Sequence, residues 1–300
     1  MIHVLFHAKS IDLAKNTMNP CTDGLFAAWA AKQKYPEAHV IPAMYGRPPE
    51  LNLSKGDRIY LLDLTYPASV LESWADRGAE VIVLDHHKSA LDDLSGLSDR
   101  ILKTFDMSRS GAVIAYDYFF DSPVPLLFKY VQDRDLWVKL LPNCDLVSLA
   151  LSEGQYQICQ DHSIQNSLEV LFSAITDAVE SGDDFIDELV VIGEELNIEI
   201  QQAISAAVSR ARPRIIGGHC VPYVKLQGQR ESQAYSDIGN VLASKEFKPG
   251  LFESPRMPMF AAVETRSGGL ALRSIGSNNV IPIAKSLGGG GHPRACGCRA

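Results

Sequence analysis

Four short apolar runs, separated by amphipathic segments, confine the first 105 residues to a parallel sheet covered by helices. Ile2 to His7, Val40 to Met44, Ile59 to Leu62 and Val81 to Leu84 have almost no polar interruption, the pattern of strands buried on both faces. Between them, Gly24 to Lys34 places Leu25, Ala28, Trp29 and Ala31 on one helical side and stops at Tyr35 and Pro36. Ala68 to Asp76 reads as a second helix, closed by Gly78. The fold class predicted is α/β, with an N-terminal doubly wound parallel sheet.

From Ser110 to about Arg212 helical periodicity replaces the strand signal. Ser110 reads as a helix start, and Phe185 to Ala211 is one long helix, with Ile186, Leu189, Ile192, Leu196, Ile200, Ile204 and Val208 spaced by three or four. Strands return at Val221 to Leu226, Met259 to Val263 and Leu270 to Arg273, around a helix at Asp237 to Ser244. The organisation expected is a catalytic domain over residues 1–185, a linker helix over 186–212 and a smaller α/β domain over 213–300, with the active cleft between the two domains. Charge divides in the same way. Residues 1–204 hold 15 Lys and Arg against 31 Asp and Glu, whereas residues 205–300 hold 13 against 5, as if a cation-holding part faced a phosphate-holding one. The overall charge of -8 argues against a long nucleic-acid footprint, which needs a basic face. Six scattered cysteines without a Cys-x-x-Cys pair fit a reducing compartment. No apolar run approaches a bilayer span and no leader-like segment opens the chain, so a cytoplasmic protein without membrane contact is expected.

In a doubly wound sheet, reactive groups gather beyond the carboxyl ends of the strands. His7 follows the first strand, and Cys21, Thr22, Asp23 and Gly24 then open a helix after the stretch from Ala8 to Asn19, read as a loop. Asp63 follows the third strand, and Asp85, His86 and His87 follow the fourth. Each has a plain alternative: Asp23 and Asp63 as helix caps, His7 as a core histidine, His86 and His87 as turn residues. Their arrival at successive strand ends is what points to a site, because carboxylates and imidazoles suit Mn²⁺ or Mg²⁺.

The triplet Asp85, His86, His87 after an apolar strand resembles the signature of the DHH phosphoesterase superfamily. Near the C-terminus, Gly288 to Gly291 and His292, followed by Ala295, Cys296 and Gly297, is similar to the GGGH signature of the DHH-associated C-terminal domain, and Leu272, Arg273, Ser274 resembles its Arg-Ser strand. The resemblance implies a two-metal hydrolase of phosphate esters. By it, Asp63 bridges two ions, His7, Cys21, Asp23 and His86 are further ligands, and a last carboxylate comes from Asp133 or Asp135, with Asp133 favoured. Cys21 replaces an aspartate of the family's first motif, and the stretch separating it from His7 is longer than the family's. Asp85 would orient an imidazole and His87 would face the substrate phosphate. Arg273 and His292 would grip a terminal phosphate, with Gly289, Gly290 and Gly291 making room for sugar or base.

These features predict a Mn²⁺-dependent phosphodiesterase, with Mg²⁺ or Zn²⁺ as other ions, acting on short oligonucleotides or on linear or cyclic dinucleotides. A 3',5'-bisphosphonucleoside phosphatase and a nucleotide-binding protein without turnover are the competing readings. A homodimer is left open.

Overall fold

A computed structural model describes residues 1–94, 96–250, 253–266 and 268–299. They belong to two units, Met1–Glu194 and Glu195–Ala300. In chain order the first contains β1 (Ile2–Asp12), β2 (Thr17–Pro20), α1 (Thr22–Lys34), β3 (His39–Ala43), β4 (Arg58–Leu62), α2 (Ala68–Asp76), β5 (Glu80–Asp85), α3 (Lys88–Asp93), β6 (Leu102–Phe105), α4 (Gly111–Phe119), α5 (Leu126–Asp135), α6 (Cys144–Asp161), α7 (Ile164–Ser181) and the start of α8 (Asp183–Ser209). Strands β3, β1, β4, β5 and β6 lie side by side in that order, all parallel. Successive side chains leave a strand on opposite faces. Val4, Phe6, Tyr60, Leu62, Ile82 and Leu84 therefore enter one core, with residues of α1, α4 and α5. Leu5, Ile59, Leu61, Val81 and Val83 enter the other, with Leu71 and Trp74 of α2. Burial on both faces is why these runs lack polar alternation.

The stretch from Ala8 to Asn19 is not a loop. β1 continues to Asp12 and pairs antiparallel with β2, and Asn16, at φ 54°, makes the turn. This hairpin is fastened to the helices: Ile164 N donates to Asn16 O (2.9 Å), and Met18 is buried. The short, half-polar β6 escaped the sequence reading because nothing in Leu-Lys-Thr-Phe sets it apart from a loop.

The second unit contains the rest of α8, then β7 (Arg212–Ile216), β8 (His219–Lys225), α9 (Gln229–Gln233), α10 (Tyr235–Ala243), β9 (Ala261–Glu264), β10 (Gly269–Arg273), α11 (Ile281–Ser286), β11 (Gly290–His292) and β12 (Ala295–Arg299). Its sheet runs β11-β12-β10-β9-β8-β7, with β8 and β9 parallel and the other pairs antiparallel. Ile216, Val221, Phe260, Leu270, Leu272 and Ile281 form its core. The division between units falls inside α8, whose Ile186 and Leu189 are part of the first unit's core. β7 was hidden by Pro213, which a sheet accepts on an edge strand. β11 and β12 were hidden by their glycines, which are poor strand formers.

Candidate metal centre

The parallel pairing of β1 ends at His7, beside the ends of β3, β4 and β5, and the chain places a polar group at or just past each. Asp63 stands at the centre. Its backbone turns left-handed immediately after β4, at φ 58°, while its amide still donates to Leu84 O (3.0 Å). One carboxylate oxygen, Oδ1, lies 3.2 Å from His86 Nε2, and the other, Oδ2, lies 3.4 Å from His7 Nδ1. A single buried carboxylate thus faces two groups of ligand atoms. On one side His7 and Cys21 join Asp63, all three ligand atoms lying within 4.8 Å of one another. On the other side His86 Nε2 is 3.5 Å from Asp135 Oδ2 and 3.6 Å from Asp23 Oδ2.

Local sequence explains how these side chains are held. Cys21 precedes the first turn of α1, and its amide donates to His7 O (3.3 Å). Gly24 lets α1 approach β1, since a Cβ there would stand 2.7 Å from His7 O. Asp23 does cap a helix, though not its own: Oδ2 accepts from Gly111 N (2.6 Å) and Oδ1 from Ala112 N (2.9 Å), at the start of α4. Ser110 caps the same helix in the usual way, accepting from Val113 N. Asp85 Oδ1 accepts from His86 N (2.7 Å), His87 N (3.1 Å) and His87 Nδ1 (2.7 Å), so the imidazole it orients is that of His87. Tyr45, past the end of β3, was not singled out from sequence. Its ring packs against His7, with centroids 4.6 Å apart. Its hydroxyl donates to Asp63 O (2.9 Å) and lies 3.1 Å from His87 Nδ1. Its signal was the one used for Asp63: a polar residue just past a buried strand.

Asp135, not Asp133, is the carboxylate beside His86. Asp133 points the other way, into the turn after α5, where it accepts from Leu140 N (3.0 Å) and Leu141 N (2.9 Å). Two residues on a helix differ by about 200° in direction, so only one of the pair can face the site. The roles separate experimentally. Asp133→Ala leaves two amides without acceptors and is expected to lower stability by ~1–2 kcal/mol in urea unfolding. Asp135→Ala is expected to leave metal-free stability unchanged or higher while removing Mn²⁺ binding in calorimetry.

Electrostatics supports a cation-binding role. Burial, then the charges of Asp135 and Asp63, push the Asp23 carboxyl well above its ordinary range. Burial also raises Asp135, against the pull of His86. Burial alone would lower His86, but its hydrogen bond to Asp63 and the charges of Asp135 and Asp23 raise it well above the usual imidazole value. Asp63 is held far below the carboxylate range: hydrogen bonds from His7 and His86 overcome its burial. The Cys21 thiol is pushed well up by burial and then by Asp63. Proteins do not crowd three carboxylates around one imidazole without compensation, and Asp85 Oδ2 is buried with no hydrogen-bond partner among the described residues. The donor set fits divalent cations that take carboxylate and imidazole.

In the second unit, Arg273 is buried. Its guanidinium donates to Ser236 Oγ (2.8 Å), Leu272 O (2.9 Å) and Cys296 O (3.5 Å) and lies over the Tyr235 ring. Gly239 makes room for it, because a Cβ there would stand 2.7 Å from Arg273 Cγ. His292 ends β11 opposite Ala295. The neighbouring glycines serve the hairpin rather than an open loop. A Cβ on Gly289 would lie 2.0 Å from Gly297 O, and one on Gly291, at φ 136°, 2.5 Å from Ala295 O. Gly290 pairs with Gly297. Close backbone packing inside the hairpin already requires glycine at Gly289 and Gly291.

No family model matches the chain. A stretch of 93 residues is 34% identical to the uncharacterized protein R106 of Acanthamoeba polyphaga mimivirus, covering 31% of this chain and only 22% of that protein. Among solved structures, the chain is similar to an uncharacterized protein from Helicobacter pylori G27 (16% identity, 100% of this chain and 93% of that one, TM-score 0.44). It is also similar to RecJ in complex with Mn²⁺ from Thermus thermophilus (14%, 99% and 49%, TM-score 0.48). A third is PggH, the pGpG-specific phosphodiesterase from Vibrio cholerae (13%, 99% and 92%, TM-score 0.45). Likeness at this level leaves the chemistry to be argued from the residues themselves.

Proposed function

We propose that the chain is a metal-dependent phosphoesterase of the DHH superfamily, a phosphodiesterase that hydrolyses short oligonucleotides or linear or cyclic dinucleotides. The observation that carries this reading is Asp63, whose two carboxylate oxygens face separate sets of ligand atoms, His7 with Cys21 and Asp23 with His86 and Asp135. His7, Cys21, Asp23, Asp63, His86 and Asp135 would hold divalent ions, whose chemistry there would be to activate a water and neutralise charge on the phosphoryl oxygens. Mn²⁺ suits the carboxylates and imidazoles, and Cys21 leaves Zn²⁺ as an alternative.

The protein's own groups do the rest. Asp85 Oδ1 beside His87 Nδ1 (2.7 Å) favours a proton on that nitrogen, which makes Nε2, 3.2 Å from the Tyr45 hydroxyl, the atom proposed to give a hydrogen bond or a proton to the phosphate ester. Tyr45 holds that ring and the Asp63 backbone together. In hydrolysis a water oxygen bonds to phosphorus as the P–O ester bond breaks; the water gives up one proton and the leaving oxygen gains one, for which His87 is the proposed donor. Arg273, a buried cation whose hydrogen-bond partners are a hydroxyl and carbonyls, is the group proposed to hold a terminal phosphate.

The test is turnover of pApA, short 5'-phosphorylated RNAs, cyclic di-AMP, 3',5'-bisphosphoadenosine and pyrophosphate after EDTA treatment and reloading with Mn²⁺, Mg²⁺ or Zn²⁺. Hydrolysis of pApA or the short RNAs, lost with EDTA and restored by Mn²⁺, is expected. Release of phosphate from the bisphosphonucleoside alone would favour the phosphatase. Tight dinucleotide binding without cleavage would make the chain a binding protein.

A further inference from the structure

Basic residues adjoin several segments of the metal centre, and most are neutralised. Lys88, next to His87, pairs with Asp92 (3.5 Å). Arg109, next to Ser110, pairs with Asp106 and Asp117 (2.7 Å each). Arg134 and Lys139, on either side of Asp135, share Asp145 (2.7 and 2.9 Å). Two exposed cations differ: Lys9, past His7, and Arg47, past Tyr45, form no side-chain hydrogen bond or ion pair with the described residues. Of the two, Lys9 is the one whose charge reaches the Cys21 sulfur, where it opposes the effects of burial and of Asp63.

Lys9 owes its place to a break in the hairpin ladder. Ala8 faces Pro20 and Ser10 faces Asn19, so Lys9 is an extra residue on β1 with no partner on β2. A bulge of this kind re-aims the inserted side chain, and bulges recur beside active sites. Lysine is a compact charge that binds phosphate well.

We propose that Lys9 is a phosphate-binding residue of this centre, its ammonium donating to a phosphoryl oxygen of the substrate beside His7, Cys21 and Asp63. The inference rests on the phosphoesterase reading and adds a contact from the hairpin insertion to it. Lys15 is the control. It lies near the tip of the same hairpin, is 78% exposed and pairs with Asp12, so Lys15→Met makes the same charge change without approaching the centre.

The experiment uses the Mn²⁺-loaded full chain and its Lys9→Met, Lys9→Arg and Lys15→Met variants. Steady-state kinetics with pApA are combined with calorimetric binding of inorganic phosphate and of Mn²⁺. Lys9→Met is expected to raise KM and weaken phosphate binding by about 10- to 100-fold, with a smaller change in kcat. Its Mn²⁺ affinity should stay close to wild type, Lys9→Arg should recover most of the loss, and Lys15→Met should behave as wild type. Unchanged KM and phosphate affinity in Lys9→Met, or an equal loss in Lys15→Met, would overturn the role of Lys9 alone. A wild-type protein that binds Mn²⁺ and hydrolyses none of the phosphate esters would overturn the phosphoesterase reading, and the role of Lys9 with it.

Discussion

Asp63→Asn is expected to lower phosphodiester turnover at least about a thousandfold, because in the proposed function its carboxylate would serve two cations that together contribute several kcal/mol to the transition state. Asparagine is the informative replacement. Asp63 adopts φ 58°, a conformation that Asn tolerates and Ala resists, so the variant keeps the backbone while losing the second anionic oxygen. Its circular dichroism and its melting without metal should stay close to those of the parent. The distinguishing readout is thermal stabilisation by Mn²⁺. A ligand at a hundred times its Kd stabilises the native state by about 2.7 kcal/mol, and the variant should lose most of that gain. Full turnover in Asp63→Asn would remove Asp63 from the centre and undo the two-ion arrangement.

Gly111→Ala should be nearly as damaging without touching a ligand. The added Cβ would stand 2.7 Å from Asp63 Cβ, 3.1 Å from Asp63 Cα and 2.9 Å from Asp23 Oδ2, and a backbone atom at a strand end cannot swing aside as a long side chain can. Overpacking of this kind costs ~1–3 kcal/mol, and relief would come by moving α4, which also moves the carboxylate of Asp23. Lower stability in urea and weaker Mn²⁺ binding should appear together. Gly154→Ala gives the opposite sign from the same chemical change. Gly154 is an exposed glycine inside α6 with nothing near its Cβ position, so alanine there should stabilise by roughly 0.5–1 kcal/mol through helix propensity. If the two variants behaved alike, the close approach of α4 to Asp63 would not be what Gly111 is there for.

The parallel sheet was legible because its strands are buried on both faces, and a run such as Val81 to Leu84 has few other uses. The strand ends were legible for the same reason: once β4 and β5 are placed, Asp63 and Asp85 must stand at one edge. What sequence could not supply was direction around a helix end. Asp133 and Asp135 are chemically identical and two residues apart, and the choice depends on where the turn after α5 needs an acceptor. The hairpin of β1 and β2 was hidden because its stability comes from docking, through Asn16 and Met18, rather than from its own alternation. Glycine is ambiguous in a different way. The run from Gly288 to Gly291 signals close approach of backbone, but whether a ligand or another strand approaches is a tertiary fact, and here β12 is the neighbour.

The capping of α4 by Asp23 has a spectroscopic consequence. The same two oxygens that accept the amides of Gly111 and Ala112 belong to the carboxylate facing His86. Any electron density that Asp23 lends to a cation is withdrawn from those two amides. Their proton chemical shifts and solvent-exchange rates are therefore expected to move when an ion binds as proposed, readable with a diamagnetic ion such as Mg²⁺ or Zn²⁺ and with no substrate present.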